Sequence, residues 1–405
     1  MQFTDRIFML RNIINTLITK FSSAVLGFLT IILVSQILGS QGKGEQALIV
    51  YNIYLLLLLF TLLGNSTLIY LTPRKHNGSL LSVSIVWILA MAVLSALIFV
   101  CIPQIATEYI FVSIAIGVFA ALSEVNQFIL LGKQEIKKAN NVKLIYPLVS
   151  LGYIFVLNLF SLFDSVTDCV IGMAVAYLLS TILGIYYLKD DYKTLNTENT
   201  KEKLALSKLL FKLGATKQAG SIAQSMNYRL SFYIIGFYCG ESLVGIYSNG
   251  ISISEAIMLF GTSLALVQYS HLSNNENKTQ SKRLTWKMSL INGLFTLLAV
   301  LFFALIPTDV YCFVFGDQFG EVRDVIRMLG FGIVLLSTAS NFTQYLYARG
   351  NFKTTTIASF VGLAATLILG FTLIPRYGIM GAAITASLSY TISFAIEFIV
   401  FLKSK

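Results

Sequence analysis

The sequence has little charge for its length. Only 12% of its 405 residues are Asp, Glu, Lys or Arg, whereas 56% are hydrophobic, and the mean hydropathy is +0.77. Soluble domains usually carry roughly a quarter charged residues. A chain of this composition has too few polar side chains to cover its apolar ones in water, which excludes a soluble globular protein.

The sequence also lacks the residues and motifs typical of enzymes. Its two histidines, His76 and His271, lie in predicted loops, and no nucleotide-binding motif and no metal-site spacing of Cys and His occurs. We therefore predict no catalytic residue, no metal and no cofactor. A membrane-embedded polymerase or glycosyltransferase would need catalytic carboxylates, histidines or a sizeable outer loop, and the predicted outer loops are short.

Long apolar runs, by contrast, are abundant. Runs of about 18 to 25 residues, which cross a bilayer as a helix, recur from Ile13 to Phe401, and we count about twelve. The first is expected to be an anchor, because no signal-peptide cleavage site follows it. The predicted fold class is an all-α polytopic membrane protein, with about twelve transmembrane helices in two pseudo-symmetric six-helix bundles around a central cavity.

The basic residues follow a topological pattern. The net charge is +10, and the 29 lysines and arginines lie at the N-terminus and in alternate loops, except for Lys43, Arg229, Arg323, Arg327 and Arg376. Cytoplasmic loops carry an excess of Lys and Arg, so both termini are predicted to be cytoplasmic. Topology explains the basicity, and no nucleic-acid partner is predicted.

The four cysteines fall near the outer ends of helices or in an outer loop on this topology: Cys101, Cys169, Cys239 and Cys312. An oxidising compartment would allow them to pair. Cysteine is also a small residue that packs well in apolar interiors, and this interpretation is favoured.

The chain divides into two halves of similar organisation. One long polar stretch separates the spans six and six, which predicts an N-terminal six-helix bundle at 1-190, a cytoplasmic linker at 191-212 and a C-terminal six-helix bundle at 213-405. Gly39 and Gly44 in the first half match Gly240 and Gly245 in the second. We interpret the match as a parallel duplication, which in transporters places the substrate site between the halves near the midplane. Glycines that only help membrane helices to pack are the alternative.

The stretch from Gly214 to Met258 carries a family resemblance. Its features are Asn227-Tyr228-Arg229, the Gly-x-Tyr-Ser that starts at Gly245, and Ser254-Glu255. With the run LGSQGKGEQAL from Leu38, it resembles the polysaccharide-transporter branch of the multidrug/oligosaccharidyl-lipid/polysaccharide exporter superfamily, notably the O-antigen flippases. Many relatives have an acidic residue where this chain has Ser231, so a coupling scheme that needs that acid is in doubt.

The resemblance implies a V-shaped pair of six-helix bundles that exposes a cationic cavity alternately to the two membrane faces. The implied function is a flippase in the bacterial cytoplasmic (inner) membrane. Its cargo would be an O-antigen or capsule unit on undecaprenyl pyrophosphate, moved from the cytoplasmic to the outer leaflet. The expected partners are this lipid-linked saccharide and membrane lipids, with polysaccharide polymerase and chain-length machinery as further candidates.

Polar residues inside predicted spans are the candidate site residues, because a central charge costs at least about 2.5 to 3.5 kcal/mol on insertion scales. One helical stripe in the seventh span consists of Gln218, Ser221, Ser225 and Arg229. A second stripe in the eighth span consists of Ser248, Ser252, Glu255 and Thr262. Arg229 and Glu255 should lie at nearly the same depth and form a pair. We predict substrate binding by Arg229, Gln218 and Ser225 and ion coupling by Glu255; a purely structural ion pair is the alternative.

Four further residues complete the predicted substrate site. Lys20 would capture a phosphate near the cytoplasmic entrance, or its amine would snorkel to the interface. Glu124, Gln127 and Gln344 would line a saccharide cavity, or would bond neighbouring helices. Glu397, near the C-terminus, is interpreted as an interfacial residue outside the site.

Two other functions are weighed against a flippase. A cation-coupled drug or small-molecule exporter of the same superfamily would favour acidic, aromatic pockets, and Arg229 and Lys20 argue against it. A purely structural membrane protein would not need the polar stripes. A flippase needs a cationic, polar path and no covalent chemistry, which fits the sequence best.

Overall fold

The computed structural model describes residues 3–64, 67–101, 108–195, 200–273 and 277–404, without the side chains of 3–14, 200, 213, 215–217, 270 and 273. Within these ranges the chain is helical and contains no β-strand, so the all-α prediction is confirmed. The helices are α1 (Phe3–Phe60), α2 (Thr67–Leu71), α3 (Asn77–Cys101), α4 (Ile110–Gly132), α5 (Ile136–Leu159), α6 (Val166–Tyr187), α7 (Lys189–Lys193), α8 (Thr200–Cys239), α9 (Glu241–Ser273), α10 (Lys278–Leu305), α11 (Thr308–Phe315), α12 (Val322–Ala348) and α13 (Phe352–Lys403).

Nine of these helices are long and apolar enough to cross a membrane, judged on the described residues. Two of them, α1 and α13, contain 58 and 52 residues. At about 1.5 Å per residue each is more than twice as long as a hydrocarbon core of roughly 30 Å. With two crossings each for α1 and α13, and with the more polar α8 added, the helices account for the twelve predicted spans.

Glycines interrupt the two longest helices. The backbone of Gly39 in α1 has φ 65° and that of Gly378 in α13 has φ 55°. A side chain would clash in this left-handed conformation, which glycine adopts without penalty. Each glycine therefore lets one membrane crossing follow another with no loop between them.

Local sequence signals explain several helix starts. Ser165 and Asp168 form a reciprocal capping box at the beginning of α6. Asn277 and Asn351 each accept a hydrogen bond from a backbone amide in the first turn of α10 and α13. These side chains satisfy amides that have no partner inside the helix.

The chain forms two compact units. The N-unit consists of Met1–Ile37 and Ile49–Gln218, and the C-unit of Leu38–Leu48 and Ala219–Lys405. The stretch Leu38–Leu48 of α1 thus belongs to the C-unit, whereas the rest of this helix belongs to the N-unit. The division into two functional bundles joined by a linker at 191-212 stays a prediction.

Inside the C-unit, the matching glycines of the two halves contact each other. Gly44 of α1 and Gly245 of α9 pack so closely that a Cβ at either position would overlap the backbone of the other helix. Beside them, the Ser40 hydroxyl oxygen lies 2.6 Å from that of Ser242, and Gln318 Oε1 accepts hydrogen bonds from the Ser40 amide and hydroxyl. At this crossing, close helix packing requires the glycines.

Helix α10 carries polar side chains on its buried face and apolar side chains on its exposed face, the reverse of a helix in a soluble protein. Its buried side chains include Ser281, Thr285, Ser289, Asn292 and Thr296. Its exposed ones include Leu290, Leu294, Leu298, Leu301 and Leu305. Apolar side chains thus face outward, as contact with lipid requires, while Thr285, Asn292 and Thr296 hydrogen-bond to neighbouring helices. The chain is a multi-pass membrane protein. Its four cysteines all lie in the described ranges, and no disulfide joins any of them.

Candidate functional site

The polar stripe of α8 faces protein rather than lipid. Gln218 and Ser225 are buried, and Gln218 Nε2 donates a 2.7 Å hydrogen bond to the carbonyl of Leu58 in the N-unit. Ser221 is half-buried. Polar groups at membrane depth need such enclosure because lipid offers them no hydrogen bonds.

An ion pair joins α8 to α9 within the C-unit. Arg229 Nη2 donates to Glu255 Oε1 at 2.5 Å, which confirms the predicted contact. The Arg229 side chain is 20% exposed and that of Glu255 is 52% exposed. The guanidinium is therefore largely enclosed, while its carboxylate partner stays open to its surroundings. An ion pair of this kind lowers the cost of keeping both charges in the membrane.

The orientation of α8 is fixed two residues before Arg229. Asn227 is 3% exposed, and its Oδ1 accepts hydrogen bonds from Thr366 at 2.5 Å and from Ser389 at 2.7 Å, both on α13. Gly362 lies against the same amide, where a Cβ would overlap Asn227 Nδ2. This network holds α8 against α13 and so sets the direction of the Arg229 side chain.

A polar cavity of about 270 Å³, here named the C-cavity, lies in the C-unit next to this network. Its lining includes Gln224, Tyr228, Thr343, Gln344, Tyr347, Tyr390 and Glu397. Glu397, which the sequence placed outside the site as an interfacial residue, lines this cavity: it is 7% exposed, and its Oε2 accepts a 2.6 Å hydrogen bond from Thr343. The packing of α12 against α13 encloses this end of the chain.

A second cavity, of about 310 Å³ and here named the N-cavity, lies in the N-unit. Glu124 and Gln127 of α4 line it together with Lys143 and Pro147 of α5. Proline has no N–H to donate, so the carbonyl of Lys143 loses its helical hydrogen bond. Lys20 is half-buried on α1, one turn before Ser23, which lines the cavity.

Aromatic and hydroxyl groups form the rest of the N-cavity. Tyr146 and Tyr177 stack with ring centroids 4.1 Å apart. The Ser180 hydroxyl donates to the carbonyl of Val142 at 2.7 Å and lies 2.6 Å from the hydroxyl oxygen of Ser123. The cavity therefore presents rings and hydrogen-bonding groups beside one acidic and one basic side chain.

The sequence matches a family model described as "Polysaccharide biosynthesis protein" over residues 9–260, which is more than half of the chain. The chain belongs to this polysaccharide biosynthesis protein family. The resemblance to the polysaccharide-transporter branch, inferred from the Asn227-Tyr228-Arg229 region, is thereby confirmed.

Individual relatives agree with this family. The chain is 23% identical to the capsular polysaccharide biosynthesis protein CapF of Staphylococcus aureus over 322 residues, which cover 78% of this chain and 79% of CapF. It is also 23% identical to the probable low-salt glycan biosynthesis flippase Agl15 of Haloferax volcanii. That match spans 202 residues, 49% of this chain and 43% of Agl15.

Solved structures share the fold. The lipid II flippase MurJ, in an inward closed conformation, has a TM-score of 0.77 at 16% identity, with 96% of this chain and 88% of MurJ covered. An inward-facing multidrug resistance MATE family transporter of the MOP superfamily has a TM-score of 0.73 at 15% identity, with 94% of each chain covered. At these identities the likeness shows the fold alone.

For this family member, the structure divides the predicted site residues among three places. Arg229 and Glu255 are paired, Gln344 lines the C-cavity, and Glu124 and Gln127 line the N-cavity. Two further charged residues, Lys143 and Glu397, line the cavities and are not among the predicted site residues. Lys143 directly precedes the apolar run and reads as a loop charge, whereas α5 already begins at Ile136.

Proposed function

We propose that this protein is a flippase that moves an oligosaccharide unit, linked to undecaprenyl pyrophosphate, from the cytoplasmic to the outer leaflet of the bacterial inner membrane. The observation that carries the proposal is Arg229, a largely enclosed guanidinium on a membrane-spanning helix. The names of CapF and Agl15 support a glycan as the cargo. Both termini are proposed to lie in the cytoplasm, because the basic loops would then remain inside.

The pair of Arg229 with Glu255 suits an exchange of anions. A guanidinium presents a planar fork of donors that matches phosphate oxygens, and it stays charged when partly dehydrated. Because an unpaired arginine inside a membrane is costly, an incoming pyrophosphate would replace the carboxylate rather than meet a bare cation. The half-exposed Glu255 would then be released and could take up a proton, which is its proposed role in coupling.

The remaining predicted residues would serve the polar part of the cargo. Gln344 in the C-cavity and Glu124 and Gln127 in the N-cavity offer hydrogen bonds to saccharide hydroxyls. Gln218 and Ser225 would continue the polar path along α8, and Lys20 would capture the pyrophosphate at the entrance. The lipid tail would stay in the bilayer, so that transport needs no covalent chemistry. A polymerase and chain-length machinery would receive the product.

The proposal is tested by replacing Arg229 in cells that have no other copy of the protein. Arg229→Ala should block export of the surface polysaccharide, and Arg229→Lys should retain part of it, because the charge survives but the planar fork does not. Arg376→Ala, which removes an exposed basic residue of the same half, is the matched control and should export normally. Normal surface polysaccharide with a well-expressed Arg229→Ala protein would contradict the proposal.

One observation favours a second function, export of a cationic small molecule. The C-cavity combines the Glu397 carboxylate with the rings of Tyr228, Tyr347 and Tyr390, which would attract a cation. If this is the function, cells without the protein should become sensitive to cationic toxic compounds while their surface polysaccharide stays normal. Resistance should return with the wild type and not with Glu397→Gln.

A further inference from the structure

Glu397 is a buried acidic group inside the C-unit. It lies on α13, less than two turns before the helix ends at Lys403. Among the residues that the structure describes, none forms an ion pair with it. A buried carboxylate without a compensating charge is costly in its ionised form, particularly at membrane depth. The site therefore calls for a positive species that the described residues do not supply.

The hydrogen bonds around Glu397 fit two protonation states. Thr343 Oγ1 lies 2.6 Å from Glu397 Oε2 and 3.1 Å from the carbonyl oxygen of Ala339. A hydroxyl has one hydrogen to donate. With an ionised Glu397, that hydrogen goes to the carboxylate; with a protonated Glu397, the carboxyl donates to Thr343 and Thr343 donates to Ala339. Rotation of one hydroxyl thus accommodates gain or loss of a proton.

The groups that face Glu397 are neutral or acidic. Tyr228 of α8, Tyr347 of α12 and Tyr390 of α13 line the same cavity. A second carboxylate, Glu255 of α9, lines a smaller neighbouring cavity with Tyr228 and Tyr390 and is paired with Arg229. No basic side chain lines the C-cavity within the described part of the chain, and no cluster of three acidic, His or Cys residues that could hold a metal ion occurs there either.

We propose that Glu397 is a proton-binding site of this protein, which gains and loses its proton through the C-cavity during the transport cycle. The proposal rests on the proposed function insofar as it assumes transport. It adds a second acidic group to Glu255, in a cavity that is distinct from the Arg229 pair. Intramembrane carboxylates that face a polar cavity serve as proton relays in pumps and transporters, which is the chemistry assigned here.

The first test does not depend on transport. Infrared difference spectra of the wild type in lipid bilayers, recorded between alkaline and acidic pH, should contain a protonated-carboxyl C=O band that Glu397→Gln removes. Thr343→Val should shift the band, because it deletes the hydrogen bond and keeps the shape of the side chain. Glu321→Gln, at an exposed carboxylate before α12, is the matched control and should leave the band in place. A Glu397→Gln spectrum identical to that of the wild type would overturn the proposal.

The second test uses the protein in vesicles that carry lipid-linked saccharide. An imposed pH gradient should speed flipping by the wild type, and flipping by Glu397→Gln should be the same with and without the gradient. Retained stimulation in this variant, or stimulation of the wild type by a Na⁺ gradient alone, would overturn the proposal. If the wild type flips no saccharide, the proposed function fails, and the infrared band still decides whether Glu397 binds a proton.

Discussion

The two cavities differ in how their acidic residue is balanced. In the N-cavity, Glu124 shares the lining with the basic Lys143. In the C-cavity, Glu397 shares the lining with tyrosines, amides and hydroxyls, and its hydrogen-bond partner is Thr343. The N-cavity lining thus brings together side chains of opposite charge. In the C-cavity lining, no basic side chain accompanies Glu397 among the described residues, and our proposal places a proton on Glu397 there.

The pair of Arg229 and Glu255 is a second place in the C-unit where our account has charges change during transport. Arg229 and Glu255 lie in the C-unit, and in the proposed function the half-exposed Glu255 would give up its place to the anionic cargo. We therefore assign the changes of charge during transport to the C-unit, and a constant polar surface to the N-cavity. This assignment gives different roles to Glu124 of the N-cavity and to Glu255 and Glu397 of the C-unit, although all three are acidic residues of long apolar helices.

The largest expected effect is on the response of transport to a pH gradient. Glu255→Gln should abolish the stimulation of flipping, because the amide cannot take up a proton. Glu124→Gln should lower the rate and keep the ratio of rates with and without the gradient, because we assign no proton uptake to Glu124, which lines its cavity together with the basic Lys143. Flipping of a fluorescent lipid-linked saccharide in vesicles measures this ratio. Loss of the response in Glu124→Gln, with retention in Glu255→Gln, would reverse the comparison.

A smaller effect concerns the stability of the two units. Asn227→Ala removes the acceptor of Thr366 and Ser389 and should lower the free energy of unfolding by about 1–3 kcal/mol. Ser180→Ala in the N-unit removes one hydroxyl and should cost about 0.6 kcal/mol, the average for hydrogen bonds between membrane helices. Detergent-induced unfolding of both variants measures the difference. An Asn227→Ala protein as stable as Ser180→Ala would show that the Asn227 network does not hold α8 in place.

Helix geometry made part of the site predictable. The contact of Arg229 with Glu255 follows from counting residues on both sides of Gly240, because a helix rises by a constant amount per residue. The family resemblance likewise depended on a short local stretch, around Asn227. Where two polar residues lie on neighbouring antiparallel helices, sequence alone therefore determines their relative depth.

Other features depend on packing that the sequence does not reveal. Glu397 lies close to the C-terminus, and only the packing of α12 against α13 shows that it is buried. Lys143 belongs to a basic segment, so its position in a cavity was hidden by the charge pattern of a loop.

The central claim, that Arg229 binds the pyrophosphate of the cargo, is tested most directly by a double variant. In vesicles of equal protein content, Arg229→Ala should reduce flipping at least about tenfold, since a charge-assisted hydrogen bond contributes about 1.5–3 kcal/mol. If Arg229 binds the cargo, adding Glu255→Gln should restore nothing, because the guanidinium is still missing. If Arg229 only neutralises Glu255, the double variant should recover the stability and the flipping rate that Arg229→Ala lost, and this recovery would contradict the account.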